Sequence, residues 1–559
     1  MFPLIFSEAA WPWLRAWRPL TLAVLVALAW APPAATAQSL SGLPGASSSA
    51  LPSLGDGAEL SAVVERRIGD RIAISIYRDP DYVDDPVLAD YVQGIWLPLL
   101  AAARVRGELS AELDERFAWE LFLIRDRTVN AFALPGGYFG VHLGLIATVG
   151  SVDEMAAVLA HELSHVTQRH ISRLMTQQSR QTPWMIAALI LGALAASKHP
   201  DAGTAAIVGG QALAAQGQLN FSRDMEREAD RVGFGVMRDA GYASQGVSSM
   251  FDKLQQASRL NDNGAFPYLR SHPLTTERIA EAQARVQLAS VLKPSSEQLA
   301  EQGRANQLHA MMAMRARILA VPGVDGLRAV LAEARRRAGA LAARPAQAVV
   351  LEQAQPSALP APADQAIGDA GALYGGALAA AKLRDFGAAR SLLAQLKPLV
   401  AGMAQAGKAA ELLSLEIDLL EGKIPSSAAS TNLEKITLRA ELLTQAKALM
   451  AAHRALEVSQ ALRLWVAGHP KDAQAWQLLA QAYGQQNQPV SAIRADAESR
   501  VAQLEYAGAL DRLKAAQNLM RSQPGSADYV EASILDTRTR QVGLLLQAQT
   551  RQDKIDEKL

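Results

Sequence analysis

The segment His161-Glu162-Leu163-Ser164-His165 constrains this 559-residue chain more than any other stretch. Two histidines at i and i+4 share a face on a helix, and the surroundings predict one: Ser151 with Glu154 suits a capping box, and Met155, Val158, Leu159 and Val166 supply apolar periodicity. Two neutral imidazoles so spaced can bind one Zn2+. Glu162, adjacent in sequence, then projects toward the metal's open position and can take a proton from bound water. A catalytic zinc needs a third protein ligand. The chain has no cysteine, so thiolate ligands, thiol catalysis, Fe–S clusters and disulfides are excluded and that ligand must be His, Asp or Glu.

Residues 221–235 read FSRDMEREADRVGFG, a second helical segment with Glu226 and Asp230 on one face. Glu226 can complete a His2Glu set. Asp230, one turn on, can accept the free N–H of a ligating imidazole and so fix its tautomer. Taken alone, EREAD reads better as a solvated helix face; its position downstream of the histidine pair reverses that and selects the ligand reading.

The N-terminus carries Arg15 and Arg18, the apolar run from Leu22 to Ala31, and small residues ending Ala35-Thr36-Ala37. This is the order of a secretory signal, so residues 1–37 are expected to be cleaved, the alternative being an uncleaved anchor. Lys plus Arg equals Asp plus Glu at 55 each, which leaves no basic field for a nucleic-acid backbone. Residues 38–55 read as a flexible leader, 56–290 as the domain that holds the motifs, 291–342 as a helical segment and 343–366, with four prolines, as a linker.

Residues 367–559 are expected to form tetratricopeptide-like helix pairs at a period near 34 residues. The clearest window holds Trp476, Leu479, Ala480, Tyr483 and Ala492. Others hold Leu442, Ala446, Leu449 and Leu462, and Leu373, Ala377, Phe386, Ala389 and Leu393. An alanine-rich bundle without true repeats is the competing reading.

Asn130, Phe132 and Leu134 alternate before the turn Pro135-Gly136-Gly137, which suggests either an edge strand open to an extended peptide or an ordinary core hairpin. The apolar stretches Trp184–Ala196 and Ala205–Ala215 are each too short to span a bilayer and read as a helical hairpin over the site, with peripheral membrane contact through 184–215. His170, five residues past His165, is expected to point away from the ligand face, and His199 to sit in a polar break; both are read as bystanders.

HELSH at 161–165, EREAD at 226–230 and NAFALPGG at 130–137 resemble the zinc metallopeptidases of the HtpX and CaaX-prenyl-protease type. With the export signal, the segment SHPLTTERI at 271–279 and the repeats, the chain resembles the periplasmic branch of that family that maintains outer-membrane β-barrel assembly. The resemblance implies an α+β, mostly helical fold: a gluzincin-type domain with a small sheet, followed by an α-solenoid. It implies zinc on His161, His165 and Glu226, and places His272 near the metal from a loop, either as a fourth ligand that plugs the site or as an oxyanion contact. Arg278, one turn into the next helix, is a further oxyanion candidate. The implied activity is a periplasmic zinc endopeptidase acting on misfolded or stalled outer-membrane proteins, with the repeats binding clients or the assembly machinery. A chaperone-like binding protein with a plugged site is the alternative. A purely structural zinc domain fits least, since a closed four-ligand site has no use for a Glu beside the ligand His.

Overall fold

The computed structural model describes residues 60–177, 222–259, 266–289, 295–320, 323–348, 362–425, 432–522 and 529–556. The signal, the leader, both apolar stretches of 184–215 with His199, and residues 349–361 of the expected linker lie outside the described residues. All described residues belong to one compact unit.

The chain opens with α1 (Ala62–Arg78), α2 (Pro86–Val105) and the short α3 (Ala111–Arg116). Ser61, Asp85 and Ser110 cap these helices by accepting from backbone N–H groups three residues on. Among the described residues α2 alone is long and apolar enough to cross a membrane, yet 61% of its apolar window is buried, so it reads as a core helix. Strands β1 (Glu120–Ile124), β2 (Ala131–Leu134) and β3 (Tyr138–His142) form a mixed sheet in the order β1-β3-β2. β3 pairs parallel with β1 and antiparallel with β2, with Ala133 opposite Phe139. β2 is therefore an edge. The turn into β3 needs glycine: Gly136 and Gly137 have φ of 75° and 78°, and a Cβ on Gly136 would lie 2.7 Å from the Arg66 backbone.

Next come α4 (Leu143–Thr148), α5 (Val152–Thr167) and α6 (His170–Gln177), then α7 (Arg223–Asp239), α8 (Gln245–Arg259), α9 (Tyr268–Ser271) and α10 (Thr276–Ala289). Ser151 caps α5 by accepting from the Glu154 N–H at 3.1 Å, and the Glu154 carboxylate reaches back to the Gly150 N–H at 2.6 Å. This is the expected capping box, displaced by one residue. Helices α5 and α7 approach closely at Gly233, where a Cβ would lie 3.0 Å from the Ala160 carbonyl oxygen. A larger residue there would force the two helices apart.

The remainder is helical: α11 (Ser296–Ala320), α12 (Val324–Ala348), α13 (Pro362–Lys382), α14 (Phe386–Leu399) and α15 (Ala404–Glu421), then α16 (Arg439–Ala451), α17 (Ala455–Gly468), α18 (Ala473–Gln485), α19 (Pro489–Ala502), α20 (Tyr506–Ser522) and α21 (Tyr529–Asp556). One apolar core runs from Ala62 to Ala440: α11 packs on α2, α4 and the motif helix α5, and α12–α15 pack on α11 and on one another. Helix α12 continues through Pro345 to Ala348, and α13 starts at Pro362, inside the stretch read as linker. A second core spans Leu433 to Ala495. Helices α16 and α18 begin 34 residues apart, as do α17 and α19, and His453 and Asn487 occupy equivalent turns with φ of 59° and 55°. Arg439 ties this part to the first, bridging Asp84 at 2.8 Å and Asp472 at 3.0 Å.

Candidate metal centre

Helix α5 presents His161 and His165 on one face, α7 brings Glu226 opposite them, and the segment between α9 and α10 adds His272; all four are buried. His161 Nε2 lies 3.0 Å from His165 Nε2, 3.3 Å from His272 Nδ1 and 3.5 Å from Glu226 Oε2. Glu226 Oε1 lies 3.4 Å from His165 Nε2 and 3.0 Å from His272 Nδ1. A tetrahedral ion with metal–donor distances of about 2.0–2.1 Å separates its donors by about 3.3–3.4 Å. Three imidazoles and one carboxylate at this spacing fit a divalent metal.

The charges agree with the geometry. Burial works against charge on His161, yet Asp230 and Glu226 raise its pKa to about 10. Burial alone would raise Glu226, but His272, His161 and His165 hold it far below the usual carboxylate range. Burial, joined by the positive charge of His161 and His272, pushes His165 well down. The Glu226 carboxylate is thus kept ionised among the three imidazoles.

Asp230 Oδ1 lies 3.0 Å from His161 Nδ1, on the far side of the ring from the donor atom, and orients that ligand. Burial would raise Asp230; Arg278 and His161 bring it to about 2. Arg278 is engaged by the carboxylates around it. Its guanidinium meets Asp230, donates to the Pro273 carbonyl at 2.8 Å and lies 2.7 Å from Glu226 Oε2. It thereby links both carboxylates to the His272 segment. Thr275 accepts from the Arg278 N–H at 3.3 Å, which starts α10 and aims this side chain inward.

Glu162 is buried, and neither of its oxygens makes a hydrogen bond of ordinary geometry. Its pKa is raised, by burial first, against the opposing pull of His272 and His161. His272 stands between the two acids, its Nε2 3.4 Å from Glu162 Oε1 while its Nδ1 meets Glu226. Tyr268, which the sequence reading missed, stacks on the His272 ring with centroids 4.5 Å apart. It precedes His272 by one helical turn in a stretch without periodicity, so nothing in the sequence marked it.

His170 needs correction. An α-helix carried through residue 170 would turn it away from His165, but α5 ends at Thr167 and Arg169 adopts φ of 58°. The reversal folds His170 back until its Nδ1 lies 2.8 Å from His165 Nδ1.

Residues 101–286 match the model of peptidase family M48. The chain carries a family M48 peptidase domain. The chain is 32% identical over 254 residues to the beta-barrel assembly-enhancing protease of Escherichia coli (strain K12), covering 45% of this chain and 50% of that one. A Vibrio cholerae protein provisionally given the same designation is 36% identical over 245 residues, 44% of this chain and 49% of its own. The chain thus spans about half the length of these relatives. The Yersinia pestis beta-barrel assembly-enhancing protease aligns further beyond the M48 domain, 28% identical over 456 residues, 80% of this chain and 83% of that one.

Proposed function

We propose that the M48 domain is a zinc endopeptidase of the bacterial periplasm, with His161, His165 and Glu226 as ligands and His272 as a displaceable fourth. The observation that supports this best is the buried set of four donors at tetrahedral spacing, with the buried carboxylate of Glu162 beside it. Zinc bound there supplies a Lewis acid for a peptide carbonyl and a water that loses its proton near pH 7. Glu162 is the group placed to take that proton and return it to the departing amine. Its burial and raised pKa suit a base that must also act as an acid. An extended substrate pairs with the free edge of β2 through its backbone, which imposes little sequence preference. His272 lies between Glu226 and Glu162, so a substrate must displace it.

Export with cleavage near Ala37 places the enzyme with envelope clients, and the relatives' designation points to outer-membrane β-barrel proteins. The 34-residue recurrence from α16 to α19 supports reading residues 367–559 as tetratricopeptide-like pairs that bind clients or the assembly machinery. The rival function, client binding with the site held shut, draws on the enclosed position of His272. Glu162→Gln separates the two. It should keep stoichiometric zinc and client binding while cleavage of an unfolded outer-membrane protein falls at least about 100-fold. Undiminished cleavage by this variant would overturn the mechanism.

A further inference from the structure

His165 lies at the start of a chain of side chains that leaves the metal centre on the side away from His272. Its Nε2 faces the other donors, and its Nδ1 lies 2.8 Å from Nδ1 of His170. His170 Nε2 lies 3.1 Å from Glu228 Oε2, and Arg173 holds that same oxygen at 2.7 Å. Both imidazoles are fully buried, while the Glu228 side chain is 30% exposed.

Proton counting gives the chain one direction. A ligating Nε2 has no proton, so the hydrogen of neutral His165 sits on Nδ1 and donates to His170 Nδ1. His170 must then carry its own hydrogen on Nε2, where Glu228 accepts it. Arg173 also donates to the Gln168 carbonyl at 3.0 Å, which ties the relay to the end of α5. The two helical ligands are therefore backed differently: His161 directly by the carboxylate of Asp230, His165 by an imidazole with a carboxylate one ring further out.

We propose that His170, held by Glu228 and Arg173, is a positioning residue for the metal centre that fixes the ring orientation and tautomer of His165. This rests on the metal-site reading above and extends it to a residue five positions beyond the motif. Loss of such a partner costs a metal site about 10- to 100-fold in affinity.

The test is zinc affinity of the full mature chain, by competition with a chromophoric chelator, together with the visible spectrum of the Co2+-substituted protein. His170→Phe fills the space without an acceptor and should weaken zinc binding by about 10- to 100-fold and shift the cobalt bands. His170→Asn puts an amide oxygen where Nδ1 stood and should restore affinity to within about three-fold, with a near-native spectrum. If His170→Phe binds zinc as the wild type does, or His170→Asn is as weak as His170→Phe, the proposal is wrong. Should His170→Phe not fold, Glu228→Leu at its half-exposed position takes its place. Expected there is a loss of about 3- to 10-fold that Glu228→Gln, still an acceptor, largely avoids; affinity unchanged in Glu228→Leu overturns the proposal. A wild type that takes up no zinc fails the metal-site reading itself, whereas a zinc-binding wild type with indifferent variants fails only this inference.

Discussion

Arg278 grips Asp230 through two edges of its guanidinium, with Nε 2.6 Å from Oδ2 and Nη2 2.9 Å from Oδ1. The pair is almost completely buried and continues on one side to His161 and on the other to the Pro273 carbonyl. The orientation of a ligand on α5 thus depends on a residue of α10. Asp230→Asn keeps the shape but weakens the bond to His161, and zinc affinity should fall about ten-fold or more. Arg278→Met leaves Asp230 buried without its guanidinium, and the metal-depleted protein should lose about 3–5 kcal/mol in denaturant unfolding. Unchanged stability in Arg278→Met would mean that the guanidinium does not hold the carboxylates as described.

The residues that meet at the centre were largely legible, because helical spacing alone puts His161 beside His165 and Glu226 one turn from Asp230. A strand closed by Gly136 and Gly137 was legible, but edge strand and core hairpin stayed open in the sequence, and the fold makes it both: β2 pairs antiparallel with β3 at one end of the sheet. Misread features depend on where helices stop. Nothing in Thr167-Gln168-Arg169 announces a left-handed residue, so His170 was placed on a continuing helix. Arg278 was placed near the site correctly, but its partners lie 48 and 52 residues earlier on α7, a pairing only tertiary packing creates. Pro345 lies inside α12, where composition alone reads a linker.

Arg439 bridges Asp84 of the first core and Asp472 of α18's cap, while the Ala440 N–H donates to Asp90 at 2.8 Å. Burial would raise Asp472, but Arg439, and after it Trp465, hold it below the ordinary value. A depressed carboxylate contributes stability above its unfolded pKa of about 3.9 and loses it as pH falls through the lower folded value. This junction should therefore loosen only in strong acid, below about pH 4. Arg439→Met should loosen it at neutral pH, seen as faster proteolysis between residues 422 and 439, and should abolish the acid-dependent part. Equal cleavage rates in variant and wild type would show that the bridge does not hold the junction.

Export is tested at the N-terminus. The boundary Ala35-Thr36-Ala37 predicts a mature protein that begins at or near Gln38, read by N-terminal sequencing of protein from the periplasm. A membrane-retained chain that starts at Met1 would instead identify the apolar run as an anchor.

His272 touches both Glu226 of the donor cluster and Glu162, the proposed base, so its removal has two opposed consequences. As a fourth donor it competes with substrate for the metal's open position and, through Nε2, blocks the carboxylate that must take the proton. A non-ligating replacement then releases activity while three ligands keep the zinc. As a transition-state contact its loss lowers the rate instead, with zinc again retained. The geometry favours the first. Its ring lies among the donors and beside Glu162, and the segment that carries it, from Tyr268 to Thr275, is fastened by hydrogen bonds that a client can exchange for its own. His272→Ala should accordingly cleave an unfolded outer-membrane protein several-fold faster than the wild type at equal zinc content, the direction and not the size being decisive. A slower enzyme would assign His272 to the oxyanion, and an unchanged one would leave it no part in either resting inhibition or catalysis.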